Sequence, residues 1–260
     1  MALTNFTGAA VANFTGAAVA DFTDAAISEA LAFAGLLEHL TPDQHTAPTP
    51  CTDWTVTDLA AHVAAGLFRD AEAFHRARIG STVPPAELDL DGSVALPDVI
   101  RSAADHLSDA VQALPSDPGI VPLPFGPYPV ADALRCLIIE FGVHVDDLAI
   151  AVGSRQPLLS SATLAALFGF GELYLLMQAQ PLESDAVTLS LAAPSTTVSI
   201  TWTGSRWKRG AGAARECRIA GSDDAIARLM LRRIDVTDPR IDVLDPARLA
   251  PSLTSAIRPL

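Results

Sequence analysis

The sequence predicts an α+β protein, with an all-helical first part followed by a small sheet-bearing tail. Three observations carry that reading. Apolar residues recur at helical spacing in successive stretches between residues 22 and 180. After Pro181 the period changes to strand-like alternation in "AVTLSLAA" and "TTVSITWTG". A helical pattern, "SDDAIARLMLRR", then returns, so the tail mixes both element types.

The elements follow in order. Phe22, Ala26, Ile27, Leu31, Phe33, Leu36, Leu37 and Leu40 share helical spacing and predict a first helix over 22–40. The connector "TPDQHTAPTPCTDW" follows, rich in Pro and Thr. Thr55 or Thr57 can cap the second helix, which ends near Gly80. A polar loop with Pro84, Pro85 and Gly92 leads to a third helix over 95–114. "PSDPGIVPLPFGPYP" reads as a proline-punctuated loop. A fourth helix runs from Val130 to Val152, with Gly153 placed to end it, and a fifth covers 160–180. In the tail, "ARECRIAG" is a further strand and Ser222 is the N-cap of the last helix.

The start of the chain is repetitive. "NFTGAAVA" at 5–12 recurs at 13–20 and, degenerated, as "DFTDAAIS" at 21–28. The period of eight matches no solenoid unit. A partner-binding segment or a glycosylation sequon at Asn5 is one reading. A small duplication that extends the first helix, weakened by Gly8 and Gly16, is the simpler one. The expected division is therefore a repetitive extension over 1–21, a helical bundle over 22–181 and an α+β domain over 182–260.

Composition narrows the function. Half of the 260 residues are hydrophobic, mean hydropathy is +0.31 and net charge is −13. The most apolar stretches, 131–152 and 162–179, carry Arg135, Glu140, His144, Asp146 and Asp147, or Glu172. Neither is a clean run of the ~18 apolar residues a span needs, so no membrane partner is expected. An acidic chain lacks the basic face that phosphate binding needs, so no nucleic-acid partner is expected either. Basic residues are one lysine, Lys208, and sixteen arginines, which sum to the 17 of the composition. Cys51, Cys136 and Cys217 are widely spaced, form no CxxC and imply no disulfide framework or thiolate zinc site. With no basic n-region and no uninterrupted apolar run at the start, no secretory signal is evident, and a reducing cytoplasmic setting is expected.

The chemistry gathers on the fourth helix. Glu140 and His144 are four residues apart and project from one face. A carboxylate and an imidazole so placed can hold a divalent cation, but two ligands are too few. His62, in the apolar stretch "DLAAHVAAG", is the best third. Two histidines and one glutamate leave an open fourth position, as catalytic zinc sites do. The plainer alternative is a buried histidine that is only hydrogen-bonded. Asp146 and Asp147 either include one that supports a ligand histidine or both face solvent near the helix end. His39, His45, His75 and His106 have no partner that builds a better site.

"TPCTDWTVTDLAAHV" at 49–63 resembles the signature Thr-Pro-Cys-x-x-Trp-Thr-Val-x-Asp-Leu-x-x-His-Leu of mycothiol-dependent maleylpyruvate isomerase-like proteins, in the DinB-like superfamily. "PFGPYPVADALRCLIIEFGVHVDDLAIAVG" at 124–153 resembles that family's second signature, Glu-x-x-x-His-x-x-Asp-Leu-x-x-x-x-Gly. The resemblance covers 22–180, and the tail is similar to the family's sterol-carrier-like C-terminal domain. It implies a DinB-like helical bundle with His62, Glu140 and His144 as ligands of a divalent metal, zinc by ligand type. Val145 stands where the family often has an aromatic. Cys51 belongs to the first signature and reads as a small packing residue beside Trp54.

The resemblance further implies mycothiol as thiol cofactor. A metal-bound thiol is deprotonated at neutral pH, and the thiolate adds to an electrophilic alkene. In a maleylpyruvate-like unsaturated acid, addition, rotation and elimination give the trans isomer. Related members transfer the thiol instead. Arg69, two turns beyond His62 on the same helix face, is the candidate carboxylate clamp, and the alternative is a surface arginine paired with Asp70 or Glu72. The expected protein is a thiol-using isomerase or S-transferase, monomeric or homodimeric, acting on a small molecule. Two other readings stand beside it: a tailoring enzyme of secondary metabolism that uses no thiol, and a non-catalytic metal- or ligand-binding protein.

Overall fold

The computed structural model describes residues 16–88, 90, 95–115, 119–154, 159–245 and 248–258. Helices and short strands occupy the first part and a five-stranded sheet the last, in agreement with the α+β reading. Two compact units emerge, residues 1–38 with 60–137, and residues 39–59 with 138–260.

In the first unit, helix α1 (Gly16–Leu37) lies against α4 (Leu96–Gln112). Ala26, Ala30, Phe33, Ala34 and Leu37 form the buried stripe of α1, and Ile100, Ala103, Ala104, Leu107 and Val111 that of α4. The alanines let the two backbones approach, and Phe33, Ile100 and Leu107 are the largest side chains of the two buried stripes. Arg101 closes the pair with a 2.6 Å contact to Glu38. Helix α1 starts earlier than the sequence suggests and stops at Leu37. Its described part includes the end of the second repeat copy. The first copy and Asn5 lie outside the described residues.

The proline-rich stretch expected to be a loop is a hairpin, β1 (Ile120–Leu123) with β2 (Gly126–Pro129). The register is Ile120 to Pro129, Val121 to Tyr128, Pro122 to Pro127 and Leu123 to Gly126. All three prolines stand at one parity of the pairing. The other parity, Val121, Leu123, Gly126 and Tyr128, keeps the N–H groups an antiparallel ladder uses. Counting prolines hid the strand, because only alternate residues need to donate.

Helix α3 (Val56–Arg78) starts at a reciprocal cap. Asp58 Oδ2 accepts from the Thr55 amide (2.9 Å) and hydroxyl (2.6 Å), and Thr55 Oγ1 accepts from the Asp58 amide (3.3 Å). It ends at Gly80, whose φ of +72° a side chain would resist.

The second unit holds the sheet, in order β5-β4-β3-β6-β7. Strands β3 (Val187–Ala192), β4 (Thr197–Trp202) and β5 (Trp207–Arg209) form an antiparallel meander. Strand β6 (Glu216–Gly221) returns parallel to β3, and β7 (Ile241–Leu244) pairs antiparallel to β6. One face of β3–β4 carries Val187, Leu189, Leu191, Val198, Ile200 and Trp202, all buried. The other carries hydrogen-bonded cross-strand pairs, Thr188 with Thr201 (2.9 Å) and Ser190 with Ser199 (3.1 Å). Strand β5 is an edge and presents Lys208 and Arg209 to solvent.

Helix α6 (Ser161–Gln178) is capped by Ser160 Oγ, which accepts from the Thr163 amide (3.0 Å). It packs on α5 (Val130–Ala151) where Gly142 faces Thr163, and on the sheet where Gly171 faces Val198. A methyl on Gly142 would sit 2.0 Å from Thr163 Oγ1, so only glycine allows this crossing. Helix α7 (Asp223–Met230) has Ser222 as N-cap, as expected. A short α2 (Pro42–His45) and a terminal α8 (Ala250–Ser255) complete the unit. Residues after α8 join the end of α6 through Gln180 N to Ala256 O (2.7 Å) and Arg258 N to Gln178 O (3.0 Å). No described helix is long and apolar enough to cross a membrane.

Candidate functional site

The site is built on the second half of α5. Glu140 and His144 fall one turn apart, and Glu140 Oε1 is 3.4 Å from His144 Nε2. The ring is almost wholly buried, while Glu140 keeps partial exposure. On its far side His144 Nδ1 lies 3.1 Å from Asp147 Oδ2. A carboxylate can only accept, so Nδ1 carries the hydrogen and the Nε2 lone pair faces Glu140 when the ring is neutral.

Asp147 is itself completely buried and held by Arg233 in a two-pronged pair, Nε to Oδ1 at 2.6 Å and Nη2 to Oδ2 at 2.8 Å. The end of α7 delivers that arginine. Arg232 adopts φ +60°, and the Arg233 amide donates back to Arg228 O (2.8 Å), which reverses the chain. A non-glycine residue in that region is strained, and here the strain places Arg233. Asp146, the neighbouring carboxylate, is gripped by both terminal nitrogens of Arg228, one of them at 2.8 Å. Arg228 Nε is shared with Asp224. Neither aspartate faces solvent, which corrects that alternative, and Asp147 takes the supporting role.

Cys51 also enters the site. Its thiol is 3.4 Å from Asp147 Oδ2, and Arg233 Nη2 is 3.7 Å from its sulfur. The connector holds it through Thr49 Oγ1, which accepts from the Cys51 amide (3.2 Å), and through the Trp54 amide, which donates to Cys51 O (3.1 Å). Its role therefore exceeds the packing expected from sequence.

The charges are strongly coupled. Burial pushes the His144 imidazole toward its neutral form, but contacts with Asp147, Cys51 and Glu140 overcome that and hold it well above the usual histidine range. Burial pushes Asp147 up, and the His144 and Arg233 contacts reverse it and keep the carboxyl below its ordinary value. Tyr174, on α6, is buried, and its hydroxyl has no hydrogen-bond partner among the described residues. Burial raises its pKa, against a lowering by the Arg233 charge and with a further raising by Glu140.

Of the residues expected from sequence, the structure brings Glu140 and His144 together. His62 stands half-buried on α3, in the first unit. Arg69 lies further along α3, with Nε 3.3 Å from Asp70 Oδ1, and lines a cavity of about 750 Å³ with Phe68, His75, Arg76 and His106. Sequence reasoning missed Arg228, Arg233 and Tyr174. The carboxylates that tie Arg228 and Arg233 to α5, Asp146 and Asp147, are distant in the chain, so no local spacing marks those pairings. Cys51 had a signal, its place in the first signature.

The donor set suits a divalent cation. His144 presents one nitrogen beside a carboxylate and has the other fixed by a second carboxylate, the arrangement that orients metal-ligating histidines.

Residues 25–149 match the family described as "Mycothiol maleylpyruvate isomerase N-terminal domain". Two uncharacterized proteins of Mycobacterium tuberculosis, from strains CDC 1551 / Oshkosh and H37Rv, are each 33% identical over 139 residues. The match covers 52% of this chain and 71% of each relative. The crystal structure of a mycothiol-dependent maleylpyruvate isomerase superposes with a TM-score of 0.60 at 18% identity, covering 86% of this chain and 92% of that one. A histidine-to-alanine mutant of that enzyme superposes with a TM-score of 0.59 at 17% identity. These two share the fold of this chain.

Proposed function

Since the chain belongs to the mycothiol maleylpyruvate isomerase-like family, we propose that it is a metal-dependent enzyme using mycothiol to isomerise, or to add the thiol to, a small unsaturated oxo-acid. The observation that carries the reading is the two-sided setting of His144, with Nδ1 fixed by Asp147 and Nε2 facing Glu140. His62, Glu140 and His144 are the proposed ligands, offering two imidazole nitrogens and a carboxylate oxygen, and zinc is the ion they suit best. A cation held there supplies the positive charge that favours the thiolate form of a thiol.

The protein's own groups do the rest. Asp147 keeps the His144 hydrogen on Nδ1, and Arg233 keeps Asp147 ionised in a buried setting. Arg69 is proposed as the clamp for the acid's carboxylate, a role in which it would exchange its contact with Asp70 for one to the substrate.

Metal analysis of the full chain purified without chelator, with turnover of a cis-configured unsaturated oxo-acid with and without mycothiol, tests the proposal. Bound zinc and thiol-dependent turnover, both lost in His144→Ala, are expected. Full turnover by His144→Ala overturns the metal-thiol mechanism. Metal binding with no turnover by any thiol gives the lead to a thiol-free enzyme.

A further inference from the structure

The cavity that Arg69 lines is built from α3, α4 and the segment that follows α3. Arg76 shapes it. Its Nε donates to Glu72 Oε1 (3.0 Å) and its Nη1 to Val83 O (3.1 Å) and Pro84 O (2.8 Å), which ties that segment back to the helix. The next residue, Pro85, is buried and joins Phe68, Ala71 and Ala110 as apolar lining. Phe68 meets His106 edge-on, with ring centroids 5.2 Å apart. The volume of about 750 Å³ falls in the range of sites that enclose drug-sized ligands. A compact acid of a few carbons would leave most of it unfilled.

The charges of the lining differ in force. Glu72 is committed to Arg76, and Arg78, Glu87 and Asp109 are exposed, where water and salt screen them. Arg69 is the best-shielded of the lining arginines, its side chain 16% exposed against 28% for Arg76. Its Nε is held by Asp70 Oδ1 at 3.3 Å, while Nη1 and Nη2 have no acceptor among the described residues. A sheltered guanidinium with two open donors beside apolar walls suits a carboxylate carried on an apolar body.

We propose that the electrophile is an unsaturated oxo-acid whose ketone carries an aryl or similarly bulky apolar group, with its carboxylate on Arg69 and that group in the cavity between α3 and α4. This rests on the clamp role given to Arg69 above. The carboxylate is common to small and large acids, so only burial of the body can separate them, and the cavity is where that selection is made.

Calorimetry on the full chain tests this with saturated oxo-acids, which hold no alkene for a thiol to attack. Benzoylpropionate and levulinate share the acid and the ketone and differ by phenyl against methyl. Benzoylpropionate should bind about tenfold more tightly, which in free energy is roughly half of what full burial of the ring would give. Benzoylpropionamide keeps the ring and loses the charge, and should bind about tenfold more weakly than the acid. Equal affinities in either pair overturn the proposal. The acid–amide difference should vanish in Arg69→Gln, whose amide can still donate to Asp70, and its persistence overturns the proposal. Ala110→Phe fills the cavity from α4 and should bring benzoylpropionate down to the affinity of levulinate. A phenyl preference that survives the filling overturns the proposal. So does displacement of benzoylpropionate by mycothiol, which would give the cavity to the thiol. If the melt of either variant shows it unfolded, the two ligand pairs decide alone. No arm uses turnover, so the two readings fail separately. A phenyl preference without thiol-dependent turnover keeps the cavity assignment and removes the metal–thiol mechanism, and turnover without the preference does the reverse.

Discussion

Asp147 receives a histidine, an arginine and a thiol on two oxygens and is itself wholly buried. Removing Arg233 therefore leaves a carboxylate buried without its countercharge, which is costlier than the pair is worth. Arg233→Ala should lower stability by about 3–5 kcal/mol, read from urea unfolding; a loss below about 1 kcal/mol would mean the pair is solvated. Asp147→Asn asks a different question, since an amide keeps the shape but can offer its NH2 to Nδ1 instead of accepting. Divalent-metal affinity should fall about 10–100-fold, measured by chelator competition, and unchanged affinity would detach Asp147 from the site. Glu140 and His144 were legible because one helix turn fixes their separation. Arg233 and Cys51 were not: they are 86 and 96 positions from Asp147, and only tertiary folding joins them.

At the level of elements, periodicity located the main helices and the strands β3, β4 and β6, and the cap at Ser222 set the start of α7. The losses have specific causes. The hairpin β1–β2 was hidden by prolines whose parity a composition count ignores. Strand β5 is three residues long, too short for an alternation to register. Two glycines separate the local and tertiary contributions to a helix. Gly35 on α1 has open space where a methyl would go, so Gly35→Ala should gain about 0.5–1 kcal/mol from helix propensity. Gly142 on α5 meets a fully buried Thr163, so Gly142→Ala should lose about 1–3 kcal/mol despite the same propensity gain. Paired thermal melts check both signs, and a stabilised Gly142→Ala would show that α6 can move away.

For the molecule as a whole, the acidic balance of −13 coexists with arginines kept in the interior. Arg228 and Arg233 are committed to Asp146 and Asp147 and are not available for binding polyanions. Of the second repeat copy, residues 17–20 are described and none of them is buried. Deleting residues 1–20 also removes the 2.8 Å bond from Thr23 Oγ1 to Val19 O, and the expected cost is about 1 kcal/mol, seen as a small shift in the circular dichroism melt. Loss of cooperative unfolding would show that the repeat belongs to the core.

Strand β5 has one more consequence, for chemistry done on the protein. Lys208 is the chain's single lysine, exposed on a sheet edge and adjacent to Trp207, whose ring centroid is 5.5 Å from that of Trp202. Amine-reactive dyes therefore have one side-chain target, separable by pH from the more acidic α-amino group at the chain start. A fluorophore coupled there would be quenched or excited by the indole pair. It would act as a built-in gauge of whether the outer strand peels away before the rest of the protein melts.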